Sequence, residues 1–204
     1  MSRGRNIDEL LQPIDEKPLQ AYFGQGLHTL GLLGWLLRQT GKADVWVSSF
    51  STSEPFLNGF AILKDKGLVR HSAILLDQRA ARKTLHLEQL LCHAFEHVFL
   101  SQNHSKILLV RNERATVSVI TSQNQTYGAR AESTIITTDE DVFGVLMNEY
   151  VTLCGEGAVE LDLKNGTGII TDYQHGKRIP GEDRATGEGA DDALPDWRPF
   201  GVEW

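Results

Sequence analysis

Hydrophobic positions along this chain recur at two different spacings. Between residues 24 and 39, Leu27, Leu30, Leu33, Leu36 and Leu37 fall at helical intervals, and Gly41 stands just beyond. That pattern predicts a helix. Val45 to Phe50 is a short β-prone run. Ser53-Glu54-Pro55 forms a helix start, and Gly67 marks the end of a helix reaching about Lys66. Ser72 to Leu76 reads as a strand. Residues 87–102 read as an amphipathic helix with Leu87, Leu90, Leu91, Ala94, Val98 and Phe99 as its apolar stripe. The period then changes. Ile107 to Val110, Ala115 to Ile120 and Glu132 to Thr138 read as three strands, the first two joined by the polar turn at 111–114. Asp139-Glu140-Asp141 opens a helix through about Leu153, with its acids at the favourable end of the helix dipole. Early alternation of strands and helices followed by a hairpin predicts a mixed α/β sheet flanked by helices on both faces.

The ends of the chain read differently. Residues 1–20 are polar, carry prolines at 13 and 18, and read as an N-terminal arm. Residues 21–154 form the predicted α/β domain. Residues 155–204 hold 9 of the 19 glycines, with 11 acidic and 5 basic side chains, and read as an extended acidic tail. The tail closes on the aromatic stretch Trp197 to Trp204, which reads as a docking segment or a loose terminus.

Charge narrows the function. The 204 residues carry a formal charge of −7, most of it in the tail, so the body is nearly neutral. A neutral body lacks the basic face of a strong nonspecific nucleic-acid binder but leaves room for a local basic groove. Two cysteines, Cys92 and Cys154, are too few for a disulfide scaffold or a cysteine-built zinc site. No apolar run approaches the roughly 20 residues of a membrane helix, and Met1 to Asn6 opens no signal peptide. These features predict a soluble protein of a reducing, cytoplasmic compartment, without a membrane partner.

The hairpin concentrates the chemistry. Folding the two apolar runs about Asn112-Glu113 sets position 104 opposite about 121 and 106 opposite about 119. His104 and Lys106 are two residues apart and share a face. One end of the sheet then collects His104, Lys106, Ser122 and Asn124, an inventory suited to a phosphodiester. Lys106 neutralises the anion, Ser122 and Asn124 donate hydrogen bonds, and His104 attacks phosphorus or donates a proton. Glu132 opens the next strand, where a carboxylate can hold the imidazole tautomer. Ser49 and its hydroxyl-rich neighbours follow a strand, at the end where α/β sheets bind ligands. Ser49, Thr121 and Ser122 are the substrate-binding candidates. A second His-x-Lys, His175-Gly176-Lys177, has no strand or Ser-x-Asn behind it and reads as chance.

The run His104-Ser105-Lys106, Thr121-Ser122-Gln123-Asn124, Ala131-Glu132 resembles the phospholipase D superfamily. That family's signature is His-x-Lys, four residues, Asp, a hairpin, Gly-Ser, Asn and a following Glu. The resemblance is strongest over residues 100–137 and is similar to the bacterial and phage branch with one motif per chain, which includes nucleases. It implies a phospholipase D-like fold and a homodimer, because two motifs meet at one active site. One His104 would become a phosphohistidine and its twin would protonate the leaving oxygen. Lys106 and Asn124 of each chain would hold the phosphate, with no metal or cofactor. The implied activity is a metal-independent phosphodiesterase, with nucleic acid favoured over lipid. Two positions depart from the signature: Arg111 stands where the family has Asp, and Thr121 where it has Gly. A catalytically inactive binding or assembly module of the same fold is the alternative.

A different constellation competes. His93-Ala94-Phe95-Glu96-His97 matches His-x-x-Glu-His, which on a helix places two zinc ligands and a base on one face, as in reversed zinc peptidases. Glu149 would have to serve as third ligand. A solvated face of the predicted 87–102 helix explains the same residues. Gly24-Gln25-Gly26 has no strand predicted before it and is not a dinucleotide fingerprint.

Overall fold

The computed structural model describes residues 6–80, 86–125, 130–155, 157–161 and, as backbone alone, 170–172. Nine strands form one sheet: β1 (Leu19–Gly24), β2 (Ala43–Ser49), β3 (Val69–Asp77), β4 (His97–Ser101), β5 (Ile107–Arg111), β6 (Thr116–Thr121), β7 (Glu132–Thr137), β8 (Val159–Leu161) and β9 (Ile170–Asp172). Their spatial order is β1-β7-β6-β5-β2-β3-β4-β8-β9. The centre β2-β3-β4 is parallel and every other pair is antiparallel. Among the described residues four α-helices cover it: α1 (Thr29–Thr40), α2 (Glu54–Asp65), α3 (Glu88–Ala94) and α4 (Glu140–Gly155).

The predicted mixed sheet with helices on both faces is the observed architecture. Helices α1, α2 and α3 pack on one face over Val45, Val47, Ile74, Val98, Leu108 and Val119. Helix α4 packs on the other, its Phe143 and Met147 against Trp46, Leu75, Phe99 and Leu109. Strand β2 is buried at every residue, which is why its apolar run shows no alternation. Gly41 and Gly67 take the positive φ of 82° and 71° where α1 and α2 end, at the places their sequence positions predict.

Three boundaries differ from the sequence reading. The predicted helix over 87–102 stops at Ala94. Phe95 turns extended, and His97–Ser101 becomes β4 beside β3. The Val98-Phe99-Leu100 run is buried on both sides, so it carries the same pattern at either period, and an open parallel slot next to β3 decides for strand. The N-terminal arm is part of the fold: Leu11 and Ile14 are buried, and β1 begins within it at Leu19. Strand β1 was hidden because its pattern is inverted. Gln20 is buried and satisfied by Gln12 and Lys17 backbone groups, whereas Leu19 and Phe23 face outward. Finally, the sheet does not stop at residue 154, because β8 and β9 extend it beyond β4. The aromatic stretch 197–204 and the second His-x-Lys at 175–177 lie outside the described residues. No helix among the described residues is long and apolar enough to cross a membrane.

Candidate active site

One rim of the sheet gathers the candidate residues. The carboxyl ends of β2, β3 and β4, the start of β5, the end of β6, the start of β7 and the end of β1 all lie there, because the antiparallel strands begin where the parallel ones finish. The hairpin register differs from the expected one by two residues. Ile107 pairs with Ile120, and Thr121 donates its N–H to the Lys106 carbonyl, so 106 faces 121 rather than 119. The turn is responsible: Asn112 Oδ1 accepts from the N–H groups of Arg114 and Ala115, which widens the bend. A slip by an even number leaves every side chain on its original face. The convergence of His104 with the end of β6 therefore survives.

Each candidate has a definite place. His104 is exposed, its ring centroid 5.3 Å from that of Phe50. Lys106 is half-buried, with Nζ 3.2 Å from His104 Nδ1 and 2.6 Å from the His104 carbonyl oxygen, to which it donates. Burial pushes the Lys106 pKa below its ordinary value, while the Glu132 carboxylate pulls it upward. Ser122 donates to Glu132 Oε2, and its own Oγ accepts from Ser133 N–H at 3.0 Å. Glu132 thus meets Ser122 and the field of Lys106, and it shows no hydrogen bond to His104.

Three candidates stand further from this group. Asn124 lines a cavity of about 290 Å³ between the starts of α1 and α2, with its Oδ1 buried and unpartnered among the described residues. Thr121 Oγ1 pairs with Thr134 Oγ1 and bonds the Ser133 carbonyl. Ser49 is fully buried; its Oγ donates to the Ser51 carbonyl and accepts from Gln125 N–H. Thr121 and Ser49 tie the rim together from within.

The residue that sequence reading missed is Asn103. It is 3% exposed. Its Nδ2 donates to Ser48 Oγ at 2.9 Å and to the carbonyls of Ser49 and Leu75 at 3.2 Å each. Its Oδ1 accepts from Ser105 N–H and Oγ, and its own N–H donates to Asp77 Oδ2 at 3.0 Å. One amide thus fastens the His104–Lys106 segment to the ends of β2 and β3. Buried glutamines complete the frame. Gln123 Oε1 accepts from Thr29 N–H and Oγ at the first turn of α1, and Gln125 bonds backbone to Ser49 and Ser53. The only sequence signal for Asn103 was its position directly before His104, which also suits a helix end.

The two departures from the signature sit differently. Arg111 lies at the opposite end of β5, roughly 13 Å along the strand from Ile107 at about 3.3 Å per residue. There the hairpin is held by other means. Arg70 makes a two-pronged pair with buried Asp44, Nε–Oδ1 2.7 Å and Nη2–Oδ2 2.9 Å, and reaches Glu113 in the turn at 2.5 Å. Thr121, in place of the glycine, uses its hydroxyl to bridge β6 and β7.

The His-x-x-Glu-His arrangement is overturned. Because α3 ends at Ala94, His93 and His97 do not share a helix face. His93 approaches Asp65 at 3.5 Å, Glu96 pairs with His71 at 3.1 Å, and His97 pairs with Glu160 at 2.7 Å. Glu149 lies on α4, across the sheet from α3. Among the described residues no group of three or more His, Cys, Asp or Glu side chains could hold a metal ion. Burial raises the pKa of both Cys92 and Cys154, as inert, structural thiols require.

Comparison with known proteins places the fold. No family profile matches the chain, and no curated protein matches its sequence. Among solved structures, the polyphosphate kinase of Porphyromonas gingivalis superposes with a TM-score of 0.51 at 13% identity, over 71% of this chain and 27% of that one. The archaeal chromatin protein TrmBL2 gives 0.44 at 11% identity, over 71% of this chain and 58% of that one. Phosphatidylserine synthase of Haemophilus influenzae gives 0.47 at 13% identity, over 70% and 39%. This chain therefore spans about a quarter of the polyphosphate kinase, whose phospholipase D-like fold it shares.

Proposed function

We propose that this chain is a metal-independent phosphodiesterase of phospholipase D type, nuclease-like, working as a homodimer through a phosphohistidine. The observation that carries this reading is the juxtaposition on one rim of the exposed His104 imidazole, the Lys106 ammonium and the Ser122–Glu132 pair. An ammonium held beside an imidazole, with apolar strands behind it, provides both a charge clamp for a phosphate and a nucleophile.

The chemistry follows from these groups. His104 Nε2 attacks phosphorus, forming a P–N bond while the P–O bond to the leaving group breaks. The partner subunit's His104 gives its ring proton to the departing oxygen. It then takes a proton from water, whose oxygen attacks phosphorus and breaks the P–N bond. In the single chain the Lys106 ammonium donates to Nδ1, which makes the ring neutral with its proton on Nε2. The acid is the imidazolium, protonated on both nitrogens, and needs Nδ1–H turned from Lys106 to an acceptor. The nucleophilic state needs Nδ1–H facing an acceptor, and Glu132 is the carboxylate on this rim able to supply one. Lys106, Ser122 and Asn124 bind the diester oxygens in this reading.

The test is hydrolysis of bis(p-nitrophenyl) phosphate and of single-stranded DNA and RNA with EDTA present, together with mass spectrometry of the quenched enzyme. The expected result is turnover, an acid-labile phosphoryl adduct on His104, and a loss of about 10³-fold in His104→Ala, within the range for a general acid–base group. Because His104 is exposed, the melting temperature of that variant should stay unchanged. Binding of oligonucleotide without cleavage of any diester would favour the non-catalytic binding module instead.

A further inference from the structure

Helix α4 crosses its face of the sheet on a diagonal, from the far end of β6 to the rim end of β4, and packs on Trp46, Leu75, Phe99 and Leu109. The rim half of β6 and β7, and β1 along its whole length, are left bare on that same face. The register fixes what stands there. Ile120 pairs with Ile135, Ile135 with Ala21, and Phe23 with Ser133, one residue from Glu132. Phe23 is 81% exposed, Leu19 64%, Ile135 45% and Ile120 40%. On this face β6 contributes Thr116, Ser118 and Ile120, β7 contributes Ser133, Ile135 and Thr137, and β1 contributes Leu19, Ala21 and Phe23. None of the nine is charged. An open sheet edge and face of this kind is ordinarily protected by lysines or other charges. The helix on the same side adds Val145, 63% exposed. Five of the six large, exposed hydrophobic side chains among the described residues therefore lie on one side of the sheet, with Ile62 alone on the other.

We propose that this face, centred on Phe23 and Ile135, is where a second copy of the chain docks. The inference rests on the shared-site reading above and specifies its interface. Two observations favour a second copy over another partner. The bare face runs directly into the rim that holds Glu132 and Ser122, so a subunit seated on it stands beside the site that needs a second His104–Lys106 set. The nine sheet positions of this face carry no charge, so it can meet its own copy across a twofold axis without setting like charges together, and the exposed Asp141, Asn148, Glu149 and Thr152 around Val145 on α4 border it with a polar rim.

The experiment measures mass by light scattering, and diester hydrolysis, on the full chain at micromolar concentration, for wild type, Phe23→Glu, Ile135→Glu and the control Ile62→Glu. Wild type and Ile62→Glu should run at twice the 22.7 kDa of the chain. Phe23→Glu and Ile135→Glu should run at that mass once, with unchanged circular dichroism, and lose at least 100-fold in hydrolysis. A monomeric wild type, or a dimer that survives both substitutions, overturns the proposal. If the two variants become monomers and retain full activity per chain, the interface stands and the shared-site reading fails. If wild type is dimeric but inactive and both variants dissociate, the interface likewise stands and the catalytic reading fails.

Discussion

The two ends of the central hairpin are built from the same strands and treat charge in opposite ways. At the turn end, Arg70 binds the buried carboxylate of Asp44 with two hydrogen bonds and adds a third to Glu113. These partners hold the Arg70 pKa above its ordinary value and the Glu113 pKa below. Each charged form is stabilised by its neighbour. At the rim end, Lys106 is half-buried with an imidazole and a carbonyl as its hydrogen-bonding partners, and its pKa moves down. The turn end settles its charges. The rim keeps a cation that a bound anion would stabilise. Perturbed charges cluster at functional sites, and this contrast is what supports the proposal that the rim is the working end.

Breaking the rim's frame should have the largest effect. Asn103→Ala removes the amide that ties the His104–Lys106 segment to β2 and β3. A misplacement of about 1 Å costs on the order of 100-fold in rate, and that loss is expected in kcat/KM for the chromogenic diester. The same variant should lose about 2 kcal/mol in urea unfolding, because Ser48 and two strand carbonyls lose a buried donor. Full activity in Asn103→Ala would remove it from the machinery.

Breaking the opposite end should move stability alone. Arg70→Ala leaves the Asp44 carboxylate without its two guanidinium hydrogen bonds, and because Arg70 is partly exposed and water can reach the gap, the cost is about 2 kcal/mol. Denaturant titration reads that loss, while kcat/KM should stay within about twofold of wild type. A large activity loss at unchanged stability would show that the two ends are coupled through the hairpin.

The smallest effect sharpens the rim's electrostatics. Burial disfavours the Lys106 ammonium, so its proton leaves at a lower pH than from an ordinary lysine, about 10.4. The alkaline limb of kcat/KM should therefore fall below that pH. Glu132 opposes the shift, and Glu132→Gln removes that opposition. The limb should then move to still lower pH. An unmoved limb, or one displaced upward, would disconnect Lys106 from Glu132.

Legibility in the sequence varied by element for physical reasons. Helices α1, α2 and α4 were readable because each presents an apolar stripe to one neighbour and closes on a glycine or opens on acids. Strand β4 was not, since a segment buried on both faces has lost its period. Strand β1 was obscured by reversed polarity: buried Gln20 is satisfied by backbone groups of the preceding arm, and Phe23 faces outward. Among the site candidates, His104, Lys106, Ser122 and Glu132 reached one rim because the start of β5, the end of β6 and the start of β7 lie side by side there, which an even slip of register does not change. Thr121 and Ser49 turned out to face inward toward partners that spacing alone does not reveal.

The amino-acid order by itself determined which segments alternate, where α1 and α2 stop, and that an imidazole and an ammonium share one face ahead of a Ser-x-Asn hairpin. These are local properties, set by side-chain geometry within a few residues. Tertiary structure alone decided which polar groups are buried and against what. Gln123 meets Thr29 across 94 residues and Asn103 meets Ser48 across 55, and no local pattern encodes such pairings. It also decided that α4 leaves part of one sheet face uncovered, because the reach of a diagonal helix depends on how the strands beneath it are ordered.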